Sequence, residues 1–283
     1  MKARVPGSSS NLGPGFDVLG LALRVYVEVE VRPSEHLRVH TEGEGSEFAG
    51  DESHFAARVA RSVLGHDEVA INLRSSIPVS RGLGSSAAVA VAVAAAAGAA
   101  DPLAVAARLD GHAENAAASV LGGLVAATMI DGAPVARRLP LDDRLGYVVV
   151  VPDRHLPTQL ARSVLPEDIP LADAVYNLGR MGLLLAGLAD ASALLPAAAG
   201  DRLHQDARSR LFPEAPELLE RLHAGGAAVA CWSGAGPAML AICASAGEAL
   251  GVETAAEKAL AALGLSGFAM VVEPDLQGLV LDP

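Results

Sequence analysis

The sequence predicts a protein of mixed α and β structure, built as two domains that share a cleft. Its 283 residues suit two domains of ordinary size. Residues 24–31, RVYVEVEV, alternate apolar with polar or charged side chains, which is typical of a half-buried antiparallel strand. Residues 87–100 are almost entirely alanine and valine, a run that is too short to cross a membrane and favours a buried helix.

The remaining elements follow in chain order. In the first domain, a strand at residues 69–79 leads through a glycine-rich loop into the alanine-rich helix, and another helix covers 102–109. The buried strand GYVVVVP at 146–152 opens the second domain. After it we predict helices at 171–190, 216–226 and 246–263 and strands at 227–232, 237–243 and 268–274. The turn-like stretch before residue 146 places the domain boundary so that the domains cover 1–144 and 145–283.

Composition and charge exclude several classes of partner. A formal net charge of -12 would repel phosphate backbones, and an aromatic content of 3% leaves few platforms for stacking bases, so we expect no nucleic acid partner. Cys231 and Cys243 lie in apolar surroundings without metal-like spacing, which indicates reduced core residues and a cytoplasmic protein. The N-terminus lacks the pattern of a secretion signal, and no membrane partner is expected.

The loop Gly82-Leu83-Gly84-Ser85-Ser86 stands between the strand and the alanine-rich helix. The first N–H groups of a helix lack partners and lie at the positive end of its dipole, so this loop could bind a phosphate group. Gly82 and Gly84 would allow close approach of the backbone and positive φ angles. Ser85 and Ser86 could donate hydroxyl groups or help to hold Mg²⁺. An ordinary capped helix is an equally good interpretation of the loop by itself.

Three motifs resemble those of the GHMP small-molecule kinases. PVSRGLGSSAA at residues 78–88 is similar to their phosphate-loop signature, and WSGAGPAMLAIC at 232–243 to their third, glycine-rich motif. SSSNLGPGFDVLGLAL at 8–23 is similar to the N-terminal motif of the homoserine kinases. Further similar stretches, among them DRLHQDAR at 201–208, extend the resemblance over nearly the whole chain.

The resemblance implies an α+β, two-domain GHMP kinase fold, with an N-terminal, nucleotide-binding domain like ribosomal protein S5 domain 2 and a ferredoxin-like C-terminal domain. It implies transfer of the ATP γ-phosphoryl group to the hydroxyl of L-homoserine, with Mg²⁺ as cofactor, and a homodimer. The matching nucleotide-binding residues are Pro78, Arg81, Gly82, Leu83, Gly84, Ser85, Ser86 and Ala87.

The resemblance also implies the residues that bind the acceptor. Asp17 is expected to take the ammonium group of homoserine, and Arg162 and Arg208 its carboxylate, for which a bidentate guanidinium fits better than a lysine. The other matching contacts are Asn11, His112, Glu114, Thr158 and Gly234. We expect His204 and Gln205, which lie inside the same motif as Arg208, to satisfy buried backbone groups.

The catalytic segment departs from the family. Homoserine kinases commonly read E-G-H-P-D-N where this chain has Asp110-Gly111-His112-Ala113-Glu114-Asn115. The resemblance makes Asp110, Glu114 and Asn115 catalytic, with Asp110 joining Ser85 or Ser86 at Mg²⁺. Both carboxylates have changed length, in opposite directions, so we expect the two changes to compensate. Two alternatives stay open: a GHMP kinase for another small alcohol, and a non-catalytic regulator that binds ligands on the same scaffold.

Overall fold

The computed structural model describes residues 1–282 and contains two β-sheets. The larger sheet has seven strands: β1 (Lys2–Ser10), β2 (Leu19–Pro33), β3 (Arg38–Gly43), β4 (Val69–Ser75), β5 (Leu124–Ile130), β6 (Ala133–Leu139) and β11 (Val280–Asp282). The smaller sheet has four: β7 (Gly146–Pro152), β8 (Val229–Trp232), β9 (Met239–Cys243) and β10 (Gly267–Val272). The change from one sheet to the other falls between β6 and β7, near the domain boundary that we predicted.

The helices pack around these sheets. Four follow strands of the larger sheet: α1 (Phe55–Leu64), α2 (Ser85–Ala96), α3 (Pro102–Asp110) and α4 (Ala113–Leu121). Five lie between β7 and β10: α5 (Thr158–Ser163), α6 (Leu171–Ala189), α7 (Gln205–Ser209), α8 (Ala215–Ala224) and α9 (Ala249–Ala262). The strands and helices predicted from periodicity are confirmed, with ends that differ by a few residues.

The long strand β2 organises the larger sheet. It pairs antiparallel with β1, its first residues pair with β5, and its second half pairs with β4. Val27 and Val29 are buried while Glu28 between them is exposed, which confirms the alternating strand. The short strand β11 pairs with β1, so the chain returns to this sheet after completing the smaller one.

The smaller sheet is entirely antiparallel, in the order β10-β7-β9-β8. Of the four strands taken in chain order, the fourth (β10) therefore lies beside the first (β7), and the third (β9) lies beside the second (β8). Helices connect the first strand to the second and the third to the fourth, as in the ferredoxin-like arrangement. The mixed α and β architecture and the ferredoxin-like C-terminal domain implied by the motifs are therefore confirmed.

Helix α2 lies in the core of the larger domain. From Ala90 to Ala96 every residue is buried, and α2 packs against β1 and β2 on one side and α1, α3 and α4 on others. A helix that is apolar all round needs such an environment, and its alanines allow the neighbouring elements to approach closely. The core therefore fixes the position of the N-terminus of α2, where the glycine-rich loop ends.

Both cysteines are buried in the smaller domain, where burial raises the pKa of the Cys231 thiol to about 12 and that of Cys243 to about 11. Both thiols are free, as we predicted. Among the described helices, none combines the length and the apolar character that a membrane crossing requires.

Candidate active site

Three of the sequence motifs meet beside the N-terminus of α2. The Ser8 N–H donates a hydrogen bond to the Leu83 carbonyl at 3.0 Å. The Ser233 hydroxyl donates to the Gly82 carbonyl at 2.7 Å and lies 2.8 Å from the Ser9 hydroxyl. The glycine-rich loop is therefore held between the end of β1 and the turn between β8 and β9, where the two domains meet.

The N-terminus of α2 has the geometry of an anion site. Gly84 adopts a φ of 65° and no side chain caps the helix, so the first N–H groups of α2 have no capping partner. A Cβ atom on Gly84 would lie 2.2 Å from the Ser8 hydroxyl oxygen, and one on Gly82 would lie 2.1 Å from the Ser233 carbonyl oxygen. The predicted positive φ of both glycines is confirmed, and the free N–H groups favour phosphate binding over an ordinary capped helix.

Asp17 and Arg162 form a bidentate ion pair across the cleft. The Arg162 guanidinium donates to the two carboxylate oxygens of Asp17 at 2.8 and 3.0 Å, and it also lies over the Phe16 ring. The pair joins the β1–β2 loop to α5. Both residues also line the cleft, so the pair presents a negative and a positive charge side by side to a ligand. An amino acid needs both charges in its binding site, one for its ammonium group and one for its carboxylate.

Arg208 is a buried cation on the same cleft. The residue is 2% exposed, and burial lowers the pKa of its guanidinium to about 10. Its Nη1 donates to the Gly234 carbonyl at 2.9 Å, whereas its Nε has no partner among residues 1–282. A buried guanidinium without a carboxylate partner is unfavourable, so the site favours an anionic ligand here.

The two acidic residues of the catalytic segment lie in different surroundings. The Asp110 carboxylate lies 3.0 Å from Nδ1 of His112, and this hydrogen bond raises the pKa of the histidine. Glu114 is buried in the first turn of α4 and accepts a hydrogen bond from Asn115 Nδ2 at 3.0 Å. Burial raises the pKa of Glu114 to about 7. Asn115 Oδ1 also accepts a hydrogen bond from the Ser8 hydroxyl, and the Ser8 N–H in turn donates to Leu83 in the glycine-rich loop.

We expect Glu114→Gln to remove a pH dependence of stability. The carboxyl has a pKa of about 7 when folded against an ordinary 4.5, so the folded state binds the extra proton between these values. Ionisation of Glu114 should therefore lower the stability of the wild type by about 3 kcal/mol as pH rises through this window, whereas the buried His204, whose pKa is lowered to about 4, acts in the opposite direction in wild type and variant alike. Urea unfolding at about pH 5 and pH 8 measures the change in each protein; the difference between wild type and Glu114→Gln gives the contribution of Glu114, and the exposed Glu257→Gln should match the wild type. Equal pH dependence in wild type and Glu114→Gln would contradict this.

A second, more apolar cavity adjoins the cleft. It shares Ser85, Ser86 and Asp110 with the cleft and continues between α1 and α2, where it is lined by Phe48, His54, Phe55, Arg58 and Val89 among others. These residues were not predicted from the sequence, because they come from a loop and a helix without a motif. Their aromatic and apolar surfaces are suited to a planar ring.

Most of the predicted site residues line one cleft. These are Asn11, Asp17, Pro78, Gly82, Leu83, Gly84, Ser85, Ser86, Asp110, His112, Glu114, Asn115, Thr158, Arg162, Arg208 and Gly234. Arg81 and Ala87 lie outside its lining. Arg81 instead donates to the Pro152 carbonyl and to Asp153, across the domain seam, and Ala87 is buried inside α2. Ser10, Val79, Ser80 and Ala235 also line the cleft and were not predicted.

The oxygen donors at the junction of the two cavities suit Mg²⁺. Ser85 and Ser86 present hydroxyl groups and Asp110 a carboxylate, all facing the same space. No cluster of three or more His, Cys, Asp or Glu that could hold a metal occurs in residues 1–282. Mg²⁺ usually keeps water and phosphate ligands beside one or two carboxylates, so this donor set fits it.

Comparison with known proteins agrees with this geometry. The family model for the GHMP kinases N terminal domain matches residues 53–130, and the model for the GHMP kinases C terminal domain matches 174–262. The chain is 38% identical to the homoserine kinase of Moorella thermoacetica over 256 residues, covering 85% of this chain and 86% of that one. It is 40% identical to the homoserine kinase of Streptomyces coelicolor over 260 residues, covering 86% and 84%.

Solved structures show the same fold. The crystal structure of homoserine kinase from Cytophaga hutchinsonii superposes with a TM-score of 0.86 at 27% identity, covering 99% of this chain and 96% of that one. Mevalonate kinase from L. major superposes with a TM-score of 0.69 at 16% identity, covering 97% and 96%, and shares the fold alone. With both halves of the chain matched and close relatives along most of its length, this protein belongs to the GHMP kinases, among the homoserine kinases of that family.

Proposed function

We propose that this protein transfers the γ-phosphoryl group of ATP to the hydroxyl of L-homoserine, giving O-phospho-L-homoserine for threonine synthesis. The observation that carries the proposal is the cleft itself. It joins the free N–H groups at the start of α2 to a pocket with two arginines and a carboxylate. The first suits a phosphate group and the second suits the two charged groups of an amino acid.

The cavity between α1 and α2 would hold the adenine ring of ATP, and the Gly82–Ser86 loop would hold its phosphates. Phe48 and Phe55 give the ring apolar surroundings. When bound, Mg²⁺ would neutralise phosphate charge, with Ser85 or Ser86 and Asp110 as its protein ligands. This arrangement aims the terminal phosphate into the acceptor pocket, because the two cavities meet at the start of α2.

The acceptor pocket would orient homoserine through its charged ends. Asp17 would bind the ammonium group, while Arg162 and Arg208 would bind the carboxylate. Glu114, in the first turn of α4, would then face the hydroxyl group and hold it in line. Phosphoryl transfer depends mainly on such positioning and on neutralising charge, so fixed polar groups supply most of the catalysis.

An assay of several acceptors tests the proposal. ADP production should be fastest with L-homoserine, and slow or absent with mevalonate, galactose and L-threonine. Faster turnover of mevalonate or galactose would favour a GHMP kinase for another alcohol. Binding of ATP without turnover of any acceptor would favour a regulatory binding protein.

The changed lengths of Asp110 and Glu114 lead to a prediction on activity. Asp110 is anchored by His112 and Glu114 by Asn115, so a methylene added or removed displaces each carboxylate by roughly 1 Å. We expect Asp110→Glu and Glu114→Asp each to lower kcat/KM for homoserine, on the order of 100-fold, and the double variant to recover most of it. A large gain from either single change would mean that the two residues do not compensate.

We also propose a homodimer that forms through α6. The exposed face of this helix carries only apolar or glycine residues: Leu171, Ala172, Val175, Leu178, Gly179, Gly182, Leu183, Ala186 and Ala189. Leu171 is 80% and Leu178 is 64% exposed. The two glycines allow close approach of a second helix, and a second copy presents the same charge-free face about a two-fold axis.

We expect Leu178→Glu to shift the protein from dimer to monomer, because it buries a charge in the proposed interface. Sedimentation velocity measures the mass. Leu250→Glu, a matched control on α9 where the leucine is 67% exposed, should leave the dimer intact. A Leu178→Glu protein that stays dimeric would place the interface elsewhere.

The cytoplasm is the compartment we propose for this activity. Two free, buried thiols agree with a reducing environment, and the ATP-dependent reaction needs a nucleotide pool.

A further inference from the structure

His204 is a buried histidine that the proposed reaction does not use. It lies directly before α7 and is 1% exposed. Its ring stacks on Phe16 with centroids 5.1 Å apart. Its Nδ1 lies 2.9 Å from Nη1 of Arg208, and its Nε2 lies 2.9 Å from the carbonyl oxygen of Gly13. Both ring nitrogens therefore have partners, one of which is the buried guanidinium of the cleft.

These partners fix the protonation of the ring. A guanidinium can only donate hydrogen bonds, so Nδ1 of His204 must accept from Arg208 and carry no proton. Nε2 then carries the proton and donates it to the carbonyl of Gly13. The ring is neutral, in agreement with burial lowering its pKa to about 4.

The backbone that carries the ring is held in place by Asp201. This carboxylate accepts hydrogen bonds from the backbone N–H groups of His204 and Gln205, at 2.9 and 2.8 Å, and from Nδ2 of Asn177 on α6 at 2.7 Å. The segment that carries His204 is thus fixed to α6 independently of Arg208. A rigid acceptor is therefore available to orient the guanidinium.

The orientation of Arg208 follows from its two hydrogen bonds. Nη1 has two protons, and these go to His204 Nδ1 and to the carbonyl of Gly234, both at 2.9 Å. The opposite edge, formed by Nε and Nη2, makes no hydrogen bond within the described chain. This edge has the spacing that binds a carboxylate through two parallel hydrogen bonds.

We propose that His204 is a positioning residue, which turns the Nε–Nη2 edge of Arg208 toward the carboxylate of the acceptor. The inference rests on the proposed function, because the carboxylate is that of the amino acid acceptor. It assigns His204 no contact with the substrate and no proton transfer. Its effect is on the affinity for the acceptor, with no direct effect on ATP.

Two amide substitutions test this inference. Asparagine places an acceptor oxygen near the position of Nδ1, whereas glutamine places its amide near that of Nε2. We expect His204→Asn to bind L-homoserine within about threefold of wild type, and His204→Gln and His204→Leu to bind it on the order of 30-fold to 100-fold more weakly. Calorimetry measures the Kd of L-homoserine, and the Kd of ATP should stay unchanged in all three variants.

The outcomes separate the inference from the proposed function. A wild-type protein that does not bind homoserine would overturn both. Normal wild-type binding with equal losses in the asparagine and glutamine variants, or equal losses for ATP and homoserine, would overturn the role of His204 alone. Should His204→Leu fail to fold in a thermal melt, the two amide variants still decide the question.

Discussion

Gly84→Val is expected to abolish ATP binding and with it all kinase activity. A side chain at this position meets two obstacles. Gly84 has a φ of 65°, which β-branched residues avoid, and a Cβ atom would lie 2.2 Å from Ser8 Oγ and 3.0 Å from Asn115 Oδ1. Relief of these contacts would displace the start of α2, where the phosphates are proposed to bind. Calorimetry with ATP measures the loss.

Gly65→Val is the matched control for this experiment. Gly65 follows α1 with a φ of 78°, and a Cβ atom there would have nothing within 4 Å. The control therefore carries a similar backbone strain without the close contacts, and it should destabilise the protein without weakening ATP binding. Unchanged ATP affinity in Gly84→Val would show that the loop does not hold the phosphates.

Arg208→Ala is expected to raise the KM for homoserine far more than the KM for ATP. The change removes the buried guanidinium proposed to make two charge-assisted hydrogen bonds to the acceptor carboxylate. At about 1.5 to 3 kcal/mol for each of the two bonds, kcat/KM for homoserine should fall by a factor on the order of 100-fold to 10,000-fold. Steady-state kinetics with each substrate varied in turn measure the difference.

The control for Arg208 lies two residues away. Arg210 is exposed, so Arg210→Ala should leave both KM values near those of the wild type. Arg208→Lys should stay impaired, because an ammonium group cannot make the bidentate contact. If Arg208→Ala raised both KM values equally, the residue would be structural rather than a ligand for the acceptor.

Much of the fold could be predicted because it rests on local patterns. The alternation of apolar and polar residues in β2 reflects a strand with one buried face, and the apolar sequence of α2 reflects a helix that is buried on all sides. The pairing of β11 with β1 could not be predicted, because three residues at the end of the chain carry no periodicity. Helix α4 begins at Ala113, inside the catalytic segment, and was likewise not predicted.

The candidate site divides in the same way. The phosphate loop is a contiguous motif, so its glycines were identified from the sequence. The aromatic cavity could not be identified in this way, because Phe48 belongs to a loop and Phe55 to a helix. The two residues line one cavity only because both elements pack beside α2. Arg81 lies within the motif, yet its guanidinium binds Pro152 and Asp153, since a side chain's direction depends on tertiary neighbours.

The most direct test of the account is the fate of the phosphoryl group. The purified protein is incubated with γ-labelled ATP, Mg²⁺ and L-homoserine, and the labelled products are separated and identified by mass. We expect the label in a phosphate monoester on the homoserine hydroxyl, formed in equal amount to ADP and absent when homoserine is omitted. Label that remains in ATP, or appears only as inorganic phosphate, in a protein that binds both ligands would contradict the proposed kinase activity.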